Sequence, residues 1–204
     1  MGVDTTVIED NFSKKYTANY DLSILAGMDR FSFLITDRQS NVLVLKSYPF
    51  PEQKVKVNDL PAKVREVHMK DELLKLPFNK IKFAVVNADN TFVPDRLYDA
   101  TQPNIFLENM VESTVESNIH VDDLNSLEAK NIFRVEQTLE ESILSLFPNA
   151  NIHHILSPLI LGLKNIASHH PERKVYVHVR NKMAHLFLFQ EESMLFANTF
   201  EFES

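Results

Sequence analysis

The sequence predicts an α/β protein in which the same three-strand meander occurs twice. The first meander covers residues 22–26, 30–36 and 42–47, which are rich in Leu, Ile, Val and Phe and are separated by turn-forming residues. The second covers residues 174–180, 183–189 and 194–200, again with short polar breaks. Helices and single strands alternate between the two meanders, so we expect sheets covered by helices.

The composition is that of a globular protein, and it excludes several classes of function. Of the 204 residues, 44% are hydrophobic and 15 are Phe, which is ample for a packed core. With only 3 Gly, the chain carries neither of the two Gly-rich phosphate-binding motifs, the P-loop and the dinucleotide-binding G-x-G-x-x-G. The absence of Cys excludes disulfides, thiolate metal sites and a cysteine nucleophile. A net charge of -7 argues against nucleic-acid and anionic-membrane partners.

The first 19 residues are polar and predict either a loosely held N-terminal tail or an edge segment. They lack the apolar stretch of a signal peptide, and no run of about 18 apolar residues occurs elsewhere. The sequence therefore predicts a cytoplasmic protein without a membrane span.

The middle strand of the first meander is apolar on both faces, which predicts a sheet covered on both sides. Apolar residues at three- and four-residue spacing then predict one helix over residues 58–76, with Asn58 or Asp59 as its cap and Pro61 in its first turn. Residues 81–86 predict a buried strand.

Residues 91–130 predict an irregular insertion, because Pro94 and Pro103 interrupt the pattern. Short helical pieces fit residues 95–99 and 105–110, and a hairpin fits 119–124 with 131–135. Two helices follow, over 138–147 with Thr138 to Glu141 as a capping box, and over 157–168 with Ser157 as the cap; a strand over 151–156 separates them. The loop at 169–173 predicts a boundary between a first domain, residues 20–170, and the start of a second, residues 171–204.

In the second meander, a two-residue turn at Asn181 and Lys182 would place His178 directly opposite His185. We expect both faces of this sheet to be partly buried, and the histidine pair to disfavour low pH. No spacing among the eight His predicts a metal site, and Ser157 lacks the surroundings of a nucleophile. We therefore expect no catalytic, cofactor-binding or metal-binding residues of a standard kind.

The order of elements and several short motifs resemble a known family. The motifs are Tyr20-Asp-Leu-Ser-Ile24 with Phe31-Ser-Phe33, Val93-Pro-Asp-Arg-Leu-Tyr-Asp99, Asn131-Ile-Phe133 and Asn198-Thr-Phe-Glu-Phe202. They look like an uncharacterised bacterial family, domain of unknown function 3822, which is assigned to the actin-like ATPase fold. The resemblance implies two ribonuclease H-like domains across a nucleotide cleft, each opening with a three-strand meander, the second of them incomplete.

The chain departs from active members of that superfamily at both phosphate turns. The resemblance implies an Asp two residues before a Gly in the first turn, where it organises a metal ion and the attacking water. This chain has Leu25-Ala26-Gly27 there, and Arg180-Asn181-Lys182 replaces the Asp-x-Gly pattern of the second turn. Loss of both carboxylates would remove metal-assisted phosphoryl transfer.

Three hypotheses follow. The leading one is a non-catalytic actin-like domain, a pseudoenzyme without a cofactor, that acts as a protein-binding or assembly module. The alternative is a nucleotide-binding ATPase or kinase-like protein with an atypical phosphate site built from Asp29, Arg30, Asn181 and Lys182. The third is a homodimer in which the incomplete second domain pairs with another copy, because an uncovered apolar sheet with residues 194–200 at its edge would be adhesive.

Overall fold

The structure is a computed structural model that describes residues 4–50, 57–108, 116–180 and 183–202. Within these residues it contains a six-stranded sheet, two three-stranded sheets and four α-helices. Contacts between residues divide the chain into two compact units. Unit 1 is Met1–Asn87, Val115–Asn118 and Val135–His153, and unit 2 is Ala88–Thr114, Ile119–Arg134 and His154–Ser204. The domain boundary between residues 170 and 171 stays a prediction.

The six-stranded sheet is built around the first meander. Its strands, in spatial order, are β1 (Thr5–Ile8), β4 (Val42–Pro49), β3 (Arg30–Thr36), β2 (Asp21–Ala26), β5 (Lys80–Val85) and β9 (Ala150–His154). β2, β3 and β4 pair antiparallel as predicted, and β5 lies parallel to β2. β1 pairs with β4 at the sheet edge. Of the two alternatives for residues 1–19, a loose tail or an edge segment, the structure therefore shows an edge segment at Thr5–Ile8.

One face of this sheet is buried at β2 and β3, because apolar residues recur at every second position of these two strands. The helices α1 (Leu60–Lys70) and α3 (Gln137–Leu146) belong to the same unit as this sheet. Phe83 of β5 contacts Phe31 of β3 and Phe147 at the end of α3, with ring centroids 6.4 Å and 6.1 Å apart. His68 of α1 lies edge-on against Phe147 at 5.2 Å. The opposite face, which was predicted to be covered as well, is half-buried at positions such as Leu25.

The single helix predicted over residues 58–76 is wrong, because it is broken at Asp71. α1 ends at Lys70, and a separate 3-10 helix, Glu72–Lys75, begins after Asp71. The Asp71 backbone is extended, and its side chain accepts the N–H of Leu73 at 3.0 Å, which caps the second helix. Asp59 makes no side-chain cap bond to α1, and its own backbone is helical.

Asp71 is also the acceptor of a buried ion pair that fixes this break to β4. Its carboxylate accepts from Lys46 Nζ at 2.7 Å and from Tyr48 Oη at 2.5 Å, and its side chain is only 4% exposed. Burial alone would raise the pKa of Asp71, but the hydrogen bonds from Lys46, Tyr48 and the Leu73 backbone outweigh it and lower that pKa. Burial and the neighbouring Asp71 together raise the pKa of Tyr48.

We expect Asp71→Ala to lower the free energy of unfolding by about 3 kcal/mol, because a buried ammonium and a buried phenol lose their acceptor. Because the pKa of folded Asp71 lies below its ordinary value of 3.8, the contribution is present at neutral pH and is lost as pH falls through that lowered pKa. Urea unfolding at pH 7 measures the change. Glu72→Ala is the control, since the Glu72 side chain is 74% exposed in its pair with Lys75; equal losses in the two variants would contradict the assignment.

Unit 2 contains a sheet in the order β6 (Asn90–Pro94), β8 (Ala129–Glu136) and β7 (Ser117–Leu124). β7 and β8 confirm the predicted hairpin, whereas β6 was not predicted, because Pro94 was interpreted as a break. Pro94 lies at the last position of an edge strand, where a missing N–H is tolerated. The predicted helical pieces correspond to a 3-10 helix, Asp95–Leu97, and to α2 (Ile105–Glu108).

The second meander is confirmed as an antiparallel sheet in unit 2. Its strands are β10 (Arg173–Arg180), β11 (Met183–Gln190) and β12 (Ser193–Glu201). His178 lies opposite His185 as predicted, while the turn at residues 181–182 lies outside the described residues. The helix α4 (Leu156–Ala167) packs on one face of this sheet, with Leu156 and Ile160 in the same core as Phe187 and Phe189.

Two predicted helix caps are wrong. The residue that precedes α4 is Ile155, and Ser157 lies inside the helix with only 4% of its surface exposed. Its hydroxyl donates to Asp122 instead of capping the helix. At α3, no capping box forms, because the helix begins after Glu136 and the Thr138 hydroxyl donates to the Glu136 carboxylate at 2.7 Å.

Candidate functional site

The first turn, residues 27–29, connects β2 to β3 and is held by backbone hydrogen bonds. The Gly27 N–H donates to the Arg30 carbonyl at 3.0 Å, and the Phe50 N–H donates to the Asp29 carbonyl at 2.7 Å. The Asp29 carboxylate accepts from Arg30 Nε at 3.3 Å. The cation that the nucleotide-binding alternative requires at this turn is therefore already paired with a carboxylate.

Leu25 occupies the position at which the resemblance implies a metal-organising Asp. In the sheet it pairs with Ser32 on β3 and with Ala84 on β5. Neither neighbour is acidic, so the adjacent strands supply no replacement carboxylate at this level of the sheet. Such a leucine cannot bind a metal ion or orient a water molecule.

The second turn is only partly described. Asn181 and Lys182 lie outside the described residues, and Arg180, which precedes them, is half-buried at the end of β10. The four residues of the alternative phosphate site are therefore not all placed by the structure. Among the residues that are described, no three His, Asp or Glu side chains are arranged to hold a metal ion.

Sequence reasoning missed a buried polar network at the start of α4. The Ser157 hydroxyl donates to Asp122 at 2.6 Å and accepts from Asn131 Nδ2 at 2.9 Å, and Asn131 in turn accepts from Asn90 at 3.0 Å. The His154 backbone N–H donates to the same Asp122 carboxylate at 2.9 Å. Because Ser157 donates to the carboxylate and not to an imidazole, this group has the geometry of a structural network and not of a nucleophilic triad.

The face of the second meander that packs against α4, which we call the inner face, carries a stacked histidine pair. The His178 and His185 rings are 5.7 Å apart and nearly parallel, and His185 Nδ1 lies 2.8 Å from the Thr199 hydroxyl. Burial, followed by the nearby charges of His178 and Arg180, lowers the pKa of His185 to about 4. Burial and Arg180 also lower the pKa of His178. Both rings are therefore neutral in the folded protein at neutral pH.

We expect this pair to make the protein less stable in mild acid. Unfolded His185 titrates near 6.5 and folded His185 near 4, so the unfolded state binds more protons between these values and stability falls as pH falls. The loss should be about 2 kcal/mol between about pH 7 and pH 5. Urea unfolding across this range measures it. His185→Gln should flatten the profile, and the exposed His169→Gln should leave it unchanged; equal slopes in all three proteins would contradict the assignment.

The face of the second meander that points away from α4 is exposed and apolar. We call it the outer face; it consists of Val175, Val177, Val179, Ala184, Leu186, Leu188, Phe196 and Phe200. The three valines are 58–60% exposed and the two phenylalanines 45–46%. The prediction that both faces are partly buried holds for the central strand, where Ala184, Leu186 and Leu188 are half-buried, and is wrong for β10, whose three valines are exposed. Contiguous exposed apolar residues of this kind mark interaction surfaces.

The sequence matches the family described as "Protein of unknown function (DUF3822)" over residues 9–204. The chain belongs to the DUF3822 family. The predicted family is thereby confirmed. No curated protein matches the sequence. No helix among the described residues of this DUF3822 chain has the length and apolar character needed to cross a membrane.

Solved structures show the fold of the DUF3822 chain. A protein "with actin-like ATPase fold and unknown function" from Bacteroides thetaiotaomicron VPI-5482 is 20% identical over 95% of this chain and 74% of its own, with a TM-score of 0.83. A PilM–PilN type IV pilus biogenesis complex is 12% identical over 89% of this chain and 61% of the matched one, with a TM-score of 0.54. The predicted actin-like ATPase fold is thereby confirmed.

Proposed function

We propose that this DUF3822 chain is a non-catalytic actin-like domain that binds a protein partner through its outer face. The observation that carries the proposal is the row of three valines, Val175, Val177 and Val179, which are 58–60% exposed on adjacent outward positions of β10. Burying apolar surface contributes about 25 cal/mol per Å². A partner that covers this row and the neighbouring leucines gains affinity without any change in the inner face.

Two further observations support a binding role over a catalytic one. Leu25 stands where the resemblance implies a carboxylate, and Arg30 at the same turn is paired with Asp29. In addition, a protein of this fold occurs in a two-protein complex named for pilus biogenesis, so the fold is compatible with an assembly role. The proposal includes a bacterial source, a cytoplasmic location and a second ribonuclease H-like domain that begins near residue 171.

A photoreactive cross-linking side chain placed at Val177 should yield one discrete protein adduct in cells that produce the chain. Val42, a valine that is 46% exposed on β4 in unit 1, provides the matched control position. The adduct should disappear when Val175→Lys is added, because a charge beside position 177 opposes burial of the face. The proposal fails if both positions give the same adducts or if Val175→Lys changes nothing. Mass spectrometry of the adduct then identifies the partner.

Calorimetric titration with magnesium-ATP should give no heat, and millimolar nucleotide should leave the melting temperature unchanged. A ligand that binds only the folded state stabilises it by about 2.7 kcal/mol at a hundredfold excess over its dissociation constant, so binding would be visible. Heat and a thermal shift that both decrease in Arg30→Ala and Lys182→Ala would instead establish the atypical nucleotide site built from Asp29, Arg30, Asn181 and Lys182.

A further inference from the structure

We propose that the edge of β12 is a self-association site, at which a second copy of the chain pairs its own β12 antiparallel about a two-fold axis through Asn198. This inference goes beyond the partner binding proposed above, because it concerns the hydrogen-bonding edge of the sheet and shares only Phe196 and Phe200 with the outer face. Among the described residues, β12 is an edge strand of its sheet, with β11 on one side.

β12 has one feature that protects an edge strand, a β-bulge near Leu195, but it lacks the others over residues 196–200. Such edges are normally short, or carry charged residues or proline. β12 is nine residues long, and its first eight residues, 193–200, include no charged residue and no proline. β1, at the edge of the large sheet, is four residues long and is flanked by Asp4 and Glu9. The two edges are therefore built differently, and only β12 offers a long, uncharged pairing surface of the two.

A side-chain hydrogen bond shows which backbone groups point outward from β12. The Thr199 N–H is bonded to the side-chain oxygen of Asn198 at 2.8 Å, within the same strand. We infer that this N–H points away from β11. Alternate residues of an antiparallel strand direct their backbone groups to the same side, so Ala197 directs its own in the same direction as Thr199. Ala197 and Thr199 thus direct their backbone groups toward a second strand, and the Thr199 N–H exchanges its bond to Asn198 for one to that strand.

The sequence of this segment is nearly symmetric about Asn198. Residues 196–200 read Phe-Ala-Asn-Thr-Phe, and their pairing with β11 is regular. Antiparallel pairing about Asn198 places Phe196 opposite Phe200 of the second copy, and Ala197 opposite Thr199. The Ala197 and Thr199 pairs exchange backbone hydrogen bonds, while the phenylalanines form two aromatic pairs on the outer side. The two Asn198 amides face each other, where each can donate to the other.

The proposed register keeps like charges apart. Each copy carries a net charge of -7, so like charges directly opposed across the pair would weaken it. The charged residue at the end of β12, Glu201, lies opposite Leu195 of the second copy in this register. No carboxylates are therefore opposed across the strand pair. A basic peptide, in contrast, would find no acidic side chain along residues 193–200 to bind.

Sedimentation equilibrium of the full chain tests the proposal. The wild type should show a reversible monomer–dimer equilibrium, and Asn198→Lys should weaken it at least tenfold, because two ammonium groups face each other across the axis. Asn198→Asp should also weaken it, because two carboxylates then face each other. An equimolar mixture of the two variants should dimerise again, since Lys then faces Asp. Val42→Lys is the matched control: it adds the same charge at an exposed valine of β4 in unit 1, and should leave dimerisation unchanged.

A cross-linking experiment fixes the register independently. The chain contains no Cys, so Asn198→Cys introduces a single thiol at the proposed axis. Cα atoms in a non-hydrogen-bonded antiparallel pair are about 4.5 Å apart, which permits a disulfide. Mild oxidation should convert Asn198→Cys to a covalent dimer, whereas Val177→Cys should stay monomeric.

Several outcomes would overturn the proposal. A wild type that remains monomeric at about millimolar concentration, where an intermolecular contact of about 4 kcal/mol is half-formed, has no such site. A dimer that persists in Asn198→Lys, with no cross-link in Asn198→Cys, forms elsewhere. A dimer that Val177→Lys abolishes is a face-to-face association. None of these results removes the partner adduct at Val177, so failure of this proposal and failure of the proposed function are distinguishable.

Discussion

A three-stranded sheet has two faces, and a single helix packed against it covers only one of them. In unit 2, α4 fills that role for the second meander, with Leu156 and Ile160 in one core with Phe187 and Phe189. This constraint gives the side chains on the two faces different environments. Burial lowers the pKa values of His178 and His185, and the nearby charge of Arg180 lowers them further. Side chains on the opposite face remain in contact with solvent although they are apolar.

The first turn shows how the fold forms without a carboxylate at position 25. Its conformation depends on backbone hydrogen bonds at Gly27 and Phe50, and the strand before it depends on alternating buried residues. None of these interactions uses the side chain at position 25, which points to the half-buried face. The fold therefore does not require a carboxylate at position 25, and Leu25 itself cannot bind a metal ion. The buried ion pair at Asp71, which does stabilise the sheet, lies against β4 and serves no site at this turn.

Local patterns in the sequence were sufficient for the two meanders and for the register of the second, because a period of two leaves little freedom, but they missed β6. They failed where a side chain has a distant partner. Ser157 looks like a helix cap until Asp122, 35 residues earlier, is placed beside it. The break at Asp71 likewise depends on Lys46 and Tyr48, which no helical pattern contains. The exposure of the valines was missed because a pattern reports apolarity, and exposure depends on which elements pack against each face.

Alternation along the same strands separates the exposed apolar surface from the surface that packs in the core. On β10, Tyr176 and His178 belong to the inner face, and Val175, Val177 and Val179 to the outer face. On β12, Ala197 packs toward the core and Thr199 bonds to His185, while the residues between and beside them face outward. Substitution of an outward residue therefore leaves the α4 contacts intact. A sheet built in this way can change its partners by changing every second residue, while the other residues keep the fold.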